Sequence, residues 1–184
     1  MENIFSISDK SYFELKKLFK EISFAKDEIF VKVGQRNNSE YFVSEGYCRS
    51  FLFDTEGNDI TLSFYKSNSV LSPHITRTKN DQSLVNLQAL TNLKITEFDS
   101  KKFLQLMIEN IEIRNFGNSI LLQELIRKTE KEISLVSLPA RERLIRFRSE
   151  FSMLENLIPH PVIASYLGIT NVSLSRLRKE TMRS

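Results

Sequence analysis

From about residue 28 to residue 98 the chain changes character at every second residue. The runs EIFVKV, YFVSEG, CRSFLF, DITLSFY and NLKITEF are rich in Phe, Tyr, Ile, Val and Thr and alternate apolar with polar positions. A period of two is the mark of a half-buried strand, whose successive side chains point to opposite sheet faces. Gly34, Gly46, the DTEGND run and the Thr91-Asn92 pair separate the runs, so the strands are short and joined by tight turns. Many short strands on such connections predict a β-roll or barrel.

On both sides of this segment the period is helical. From about residue 8 to 20, SDKSYFELKKLFK places Tyr12, Phe13, Leu15, Leu18 and Phe19 largely on one side, with Ser8 or Asp9 available as a cap, which predicts a short amphipathic helix. After Asp99 come SKKFLQLMIEN and a longer helix from about 112 to 134. In that longer helix Leu122, Ile126, Thr129, Ile133 and Val136 follow 4-3-4-3 spacing, and Leu121 and Leu125 widen the stripe. The stripe fits either a helix packed on its own roll or two parallel helices paired across the axis of a homodimer. Pro139 interrupts the pattern as a candidate hinge, and ARERLIRFRSEFSML then carries Leu144, Phe147, Phe151 and Leu154 at helical spacing before Pro159 and Pro161.

The stretch HPVIASYLGITNVSLSRLRKE, residues 160 to 180, adds small residues to apolar periodicity. Pro161 suits a first helical turn, so one helix runs to about Leu167 with Ile163, Ala164 and Leu167 facing inward. Gly168 permits the positive φ that a sharp turn between two helices demands, and Thr170 or Asn171 can cap the second helix. Ala164 is small where that helix crosses, and Leu174 and Leu177 bury its back. The other face presents Asn171, Val172, Ser173, Ser175, Arg176 and Arg178. Arg pairs with guanine, Asn with adenine and Val with a thymine methyl, while Ser and Thr bind phosphate. These offsets are those of a helix-turn-helix with its recognition helix at about 171–179, set against a merely structural hairpin with a basic face.

Charge is distributed accordingly. Residues 139 to 184 hold eight Lys and Arg against four acids, a net +4, and the remainder holds 18 against 19, a net −1. The asymmetry favours a polyanionic partner for the C-terminal part, although a modest charge run is often only a solvated face. An apolar fraction of 41% in 184 residues is enough for one generous domain or two small ones. Neither the opening MENIFSISDK nor any later window holds the roughly 20 apolar residues of a membrane span, so a soluble, cytoplasmic protein without a membrane partner is expected. The lone Cys48 excludes an internal disulfide and reads as a small apolar strand residue.

Taken in order, these segments resemble the Crp/Fnr family of bacterial transcriptional regulators over nearly all 184 residues. Gly34, Gly46 and Gly57, in VKVGQ, YFVSEGYCRSFLFD and DTEGNDITLSF, fall where that family places turn glycines, and IASYLGITNVSLSRLRKE is similar to the branch common in Bacteroidetes. The resemblance implies an α+β fold: a cyclic-nucleotide-binding-type β-roll (a double-stranded β-helix or jelly roll) at 1–111, a dimerisation helix at 112–136 and a winged-helix-like helix-turn-helix domain at 137–184. It implies a homodimer that binds double-stranded DNA at an inverted repeat and works with RNA polymerase. By that likeness Asn171, Val172, Ser173 and Arg176 match base-facing positions, and Thr170 and Ser175 match backbone contacts. Leu122, Ile126, Thr129 and Ile133 would form the dimer interface.

Family members that bind cyclic AMP carry a Gly-Glu pair followed by an Arg-Ser/Thr-Ala run. The corresponding stretch, YKSNSVLSPHITRTKNDQSLVNLQAL, has neither, and Gln82, Ser83 and Leu84 lie where the arginine run would be. Control by cyclic AMP is therefore not expected; Arg77 or Lys79 could substitute only along an unusual loop path, and no cofactor is expected. His74, the only histidine of the roll, reads as a loop residue and argues against a cupin-type metal site. One cysteine cannot supply an iron-sulfur cluster. His160 helps to start a helix and is a candidate phosphate contact. No catalytic constellation stands out, so an enzyme is not expected. The alternative of another class is an effector-sensing or docking module whose helix-turn-helix contacts protein.

Overall fold

A computed structural model describes residues 7–181. The first helix, α1 (Asp9–Lys16), is capped by Ser8, whose side chain accepts from the Ser11 backbone N–H. The helix stops at Lys16 instead of running on to residue 20. Lys20 already begins strand β1 (Lys20–Phe24), which pairs antiparallel with the distant strand β10 (Leu93–Asp99).

The alternating segment folds as expected into two facing four-stranded sheets. Strands β2 (Ile29–Val31), β3 (Ser39–Glu45), β4 (Tyr47–Phe53), β5 (Asp59–Lys66), β6 (Ser69–Val70) and β9 (Asn86–Ala89) join β1 and β10 in the orders β1-β10-β3-β6 and β2-β9-β4-β5. Val43, Cys48, Leu71, Leu87, Ala89 and Ile95 are completely buried between the sheets. Gly46 makes the β3–β4 turn at φ +94°, where an added Cβ would lie 2.4 Å from the Asn92 carbonyl oxygen. His74 is not in a loop: it opens a four-residue helix, α2 (His74–Arg77), because its backbone N–H is held by Glu40 Oε2 at 2.9 Å. A small hairpin, β7 (Thr78–Lys79) and β8 (Gln82–Ser83), follows.

Two helices then leave the roll, α3 (Ser100–Glu109), capped by Asp99, and α4 (Ile111–Ser137), capped by Asn110. The N-terminal part of α4 packs Ile113 against Leu15, Phe98 and Phe103. Further along, the side of α4 that meets the roll is polar: Glu124 is buried, Ser72 Oγ donates to Glu124 Oε1, and Arg127 Nη1 donates to Phe64 O at 3.2 Å.

After Pro139 come α5 (Ala140–Glu150), a 3-10 turn at Leu154–Asn156, α6 (His160–Tyr166) and α7 (Asn171–Thr181). No strand occurs after β10 among the described residues, so the wing of a winged helix is not formed there. Leu144, Phe147, Phe151 and Leu154 are buried at the spacing the sequence predicts. The core of this helical unit extends into the roll through Phe64, whose ring lies 5.7 Å from Phe147 and from Phe151 and 4.8 Å from Tyr166. Ser165 Oγ donates to Thr61 Oγ1 at 3.1 Å, and Lys131 Nζ donates to the carbonyls of Thr61 and Leu62 while lying 4.0 Å from the centre of the Tyr166 ring. Strand β5 is thus the seat on which the helical unit rests.

Candidate nucleic-acid interface

Helix α6 ends where its sequence requires. Gly168 takes φ +64°, a left-handed conformation open to glycine at no steric cost, and the Ile169 N–H returns to Ala164 O at 3.0 Å. The chain turns at once into α7, whose first turn is capped by Thr170: its Oγ1 accepts from the Ser173 N–H at 3.2 Å and lies 2.9 Å from Ser173 Oγ. Val162, Ile163 and Ala164 of α6 and Leu167 just after it are buried with Leu174 of α7, and Leu177 packs partly buried against them. The small side chain of Ala164, 2% exposed, allows the close crossing.

With its back fixed, α7 turns a defined stripe outward. Asn171, Val172, Ser173, Ser175 and Arg176 are all exposed, Val172 at 70%. Asn171, Val172, Ser175 and Arg176 line one shallow recess together with Lys179, a residue that the sequence analysis does not place on this face. The positions 171, 172, 175, 176 and 179 recur at helical spacing, the signal by which Lys179 can be found. Thr170 lies at the edge of this surface with its hydroxyl engaged in the cap.

Arg178 stands apart from this group, a correction to the outward face read from the sequence. Its side chain is 21% exposed and its Nε lies 2.7 Å from Glu155 Oε1. Position 178 follows Leu174 by one helical turn and so shares its inward side. Arg178 Nη1 also reaches the His160 ring, 3.2 Å from Nδ1. His160 begins α6 as expected, and its ring faces Arg178.

The end of the long helix is tied to the same turn. Arg143 Nε donates to Leu167 O at 2.9 Å and Arg143 Nη1 to Leu138 O at 2.6 Å, so one guanidinium bridges the hinge before Pro139 and the end of α6. A Cβ at Gly168 would lie 3.1 Å from Leu135 Cδ2.

The residues expected at a dimer interface all face solvent. Leu122 is 58% exposed, Ile126 48% and Ile133 56%, with Thr129 exposed between them. They occupy the side of α4 opposite Glu124, Arg127 and Lys131. Of the alternatives that the sequence leaves open, packing of this stripe on the chain's own roll does not occur.

In the stretch where a phosphate cassette would lie, Arg77 points into the roll. It is 1% exposed; Nε donates to Ser72 O at 3.0 Å, Nη1 to Asn37 Oδ1 at 2.8 Å and Nη2 to Ser39 O, and the guanidinium lies over the Tyr41 ring. No helix of the described residues is long and apolar enough to cross a membrane, and no group of three or more His, Cys, Asp or Glu among them could hold a metal ion.

No family model matches the chain, and no curated protein does. Solved structures do. FixK2 from Bradyrhizobium japonicum superposes with a TM-score of 0.77 at 18% identity, covering 90% of this chain and 85% of that one. A regulator of the Crp/Fnr family from Eubacterium rectale gives 0.74 at 15% identity over 96% and 84%. The c-di-GMP-responsive global regulator CLP of Xanthomonas campestris gives 0.71 at 14% identity over 96% and 92%. The chain therefore has the fold of the Crp/Fnr regulators, as the sequence analysis expects.

Proposed function

We propose that the chain is a sequence-specific DNA-binding transcription regulator of the Crp/Fnr type. Two copies pair along the exposed stripe of α4, and the α7 helix of each enters a major groove of double-stranded DNA. One observation carries this reading: α7 is locked by its cap and its buried back, and the side it leaves outward consists of Asn171, Val172, Ser175, Arg176 and Lys179, side chains suited to base edges and phosphates. Twofold pairing sets the two recognition helices about 34 Å apart on an inverted-repeat operator. Several of the solved neighbours are described as regulators of transcription or gene expression, which supports a binding role over a catalytic one. It acts in the cytoplasm with RNA polymerase as its partner at promoters.

The reading includes independence from cyclic AMP. Arg77, the arginine of the cassette stretch, has three internal acceptors and no exposed surface to offer a ligand phosphate.

The test is the affinity of the purified full chain for double-stranded DNA at 50 and 200 mM salt without added nucleotide. Six to ten phosphate contacts predict a loss of about 10³- to 10⁵-fold across that range. Binding that is indifferent to salt would favour a protein partner for the helix-turn-helix instead, and absence of binding would mean that an effector must first reposition the helices or that the partner is not DNA.

A further inference from the structure

The back of α7 is held in two different ways. At Leu174 it is seated in an apolar core and 0% exposed. One turn on, the same inward side is occupied by Arg178, a cation that cannot be sequestered there without a counter-charge.

Glu155 supplies that charge from the 3-10 turn between α5 and α6, and it is itself buried, with 9% of its surface exposed. Glu155 Oε2 accepts from Arg148 Nε at 2.6 Å and Oε1 from Arg148 Nη2 at 3.0 Å, a two-pronged grip on α5. Glu155 Oε1 also stands 2.7 Å from Arg178 Nε, and Arg178 extends to His160 at the start of α6. The Arg148 guanidinium, with a smaller effect from Arg178, holds the Glu155 carboxyl below the usual carboxylate range. A single carboxylate therefore joins α5 to the C-terminal half of α7.

Arg176 and Lys179 lie on the same turn of α7 as Arg178, facing outward. Any roll or lift of that turn moves both. We propose that Glu155 is a positioning residue for sequence readout: through Arg178 it fixes the pitch of the C-terminal half of α7 and so decides which base edges Arg176 reaches and where Lys179 meets the phosphate backbone. The proposal rests on the reading of α7 as a DNA-recognition helix. The two-pronged contact with Arg148 fixes Glu155 itself, because a guanidinium paired in this way meets a carboxylate at a fixed angle and distance.

The test measures the ratio of affinities for a duplex selected from random DNA and for an unselected duplex, in the full chain and in Glu155→Gln, Arg178→Gln and the double variant. Each single variant is expected to lower the ratio about tenfold, and the double variant no further than Glu155→Gln alone, since that change already releases Arg178. Single variants that melt at lower temperature but keep the wild-type ratio would overturn the proposal, as would effects that multiply in the double variant. If Glu155→Gln does not fold, Arg178→Gln decides by the same criterion, because it leaves the Glu155–Arg148 pair in place. A wild-type ratio of one would instead remove the DNA reading itself, and this proposal with it.

Discussion

Glu124 is buried, whereas Ile126, two residues further along α4, is 48% exposed. From Leu122 onward the helix is inside out: Glu124, Arg127 and Lys131 meet the roll, while Leu122, Ile126 and Ile133 face water. Large apolar side chains aligned on one exposed helical face are the usual sign of an interaction surface. The 4-3 spacing of this face matches that of a paired helix.

Replacing both Ile126 and Ile133 with Glu is therefore expected to give monomers. Because neither residue touches the chain's own core, the melting temperature of the monomeric fold should hold while sedimentation shows half the wild-type mass. A dimer that survives the double substitution would place the axis elsewhere.

Substitutions on α7 should divide by role. Arg176→Ala is expected to cost about 1 to 3 kcal/mol of discrimination at one position per half-site, seen as relaxed base preference there. Lys179→Ala should weaken binding to all sequences alike and reduce the salt slope by about one. Thr170→Ala removes the cap of α7 and should cost about 1 kcal/mol of stability while lowering affinity for every sequence equally. Quantitative binding to a panel of single-base variants checks all three, and equal effects of Arg176→Ala and Thr170→Ala on selected and random DNA would refute the division.

Glu40 makes stability depend on pH. Burial pushes its carboxyl up to about 6 from 4.5, the backbone N–H of His74 and the charge of Arg77 only partly offsetting that rise. The folded chain thus binds this proton more tightly than the unfolded one. The associated stability is fully present below pH 4.5 and lost as pH rises through 6. Ionised Glu40 then costs about 2 kcal/mol at pH 7. Glu40→Gln keeps an acceptor for His74 and should recover about that amount in urea denaturation at pH 7 and almost none at pH 4. An equal gain at both values would locate the effect in packing.

Two turn glycines should differ in their tolerance of alanine. At Gly46 the backbone has φ +94° and the new Cβ would fall 2.4 Å from Asn92 O, so backbone must move and a loss above about 2 kcal/mol is expected. At Gly57 φ is +84° but nothing lies within 4 Å, leaving only the conformational cost of about 1 to 2 kcal/mol. Parallel denaturation curves for Gly46→Ala and Gly57→Ala measure the difference.

What the sequence reveals follows how local each cause is. The turn at Gly168 and the buried Leu174 depend on neighbours within one or two turns, and spacing alone predicts them, as it narrows the cap to Thr170 or Asn171, of which Thr170 takes the role. The apolar seam of α4 is equally plain from spacing, but which way it faces is settled by Ser72 and Phe64, far off in the chain. The helix read from about residue 8 to 20 stops at Lys16, because β10 offers Lys20 to Phe24 a strand partner. Arg178 reads as outward because it is charged, although its spacing from Leu174 puts it on the inward side, and the buried Glu155 that makes this side tolerable for a cation belongs to another element. The seating of the helical unit on β5 through Thr61, Phe64 and Ser165 leaves no trace in any single segment.

The most direct measurement is selection of duplex fragments from a random pool by the purified chain with no nucleotide added, followed by sequencing of what is retained. The account predicts an inverted repeat whose half-sites are centred about 10 to 10.5 base pairs apart, one turn of DNA. Recovery of unrelated fragments with no twofold motif would contradict it.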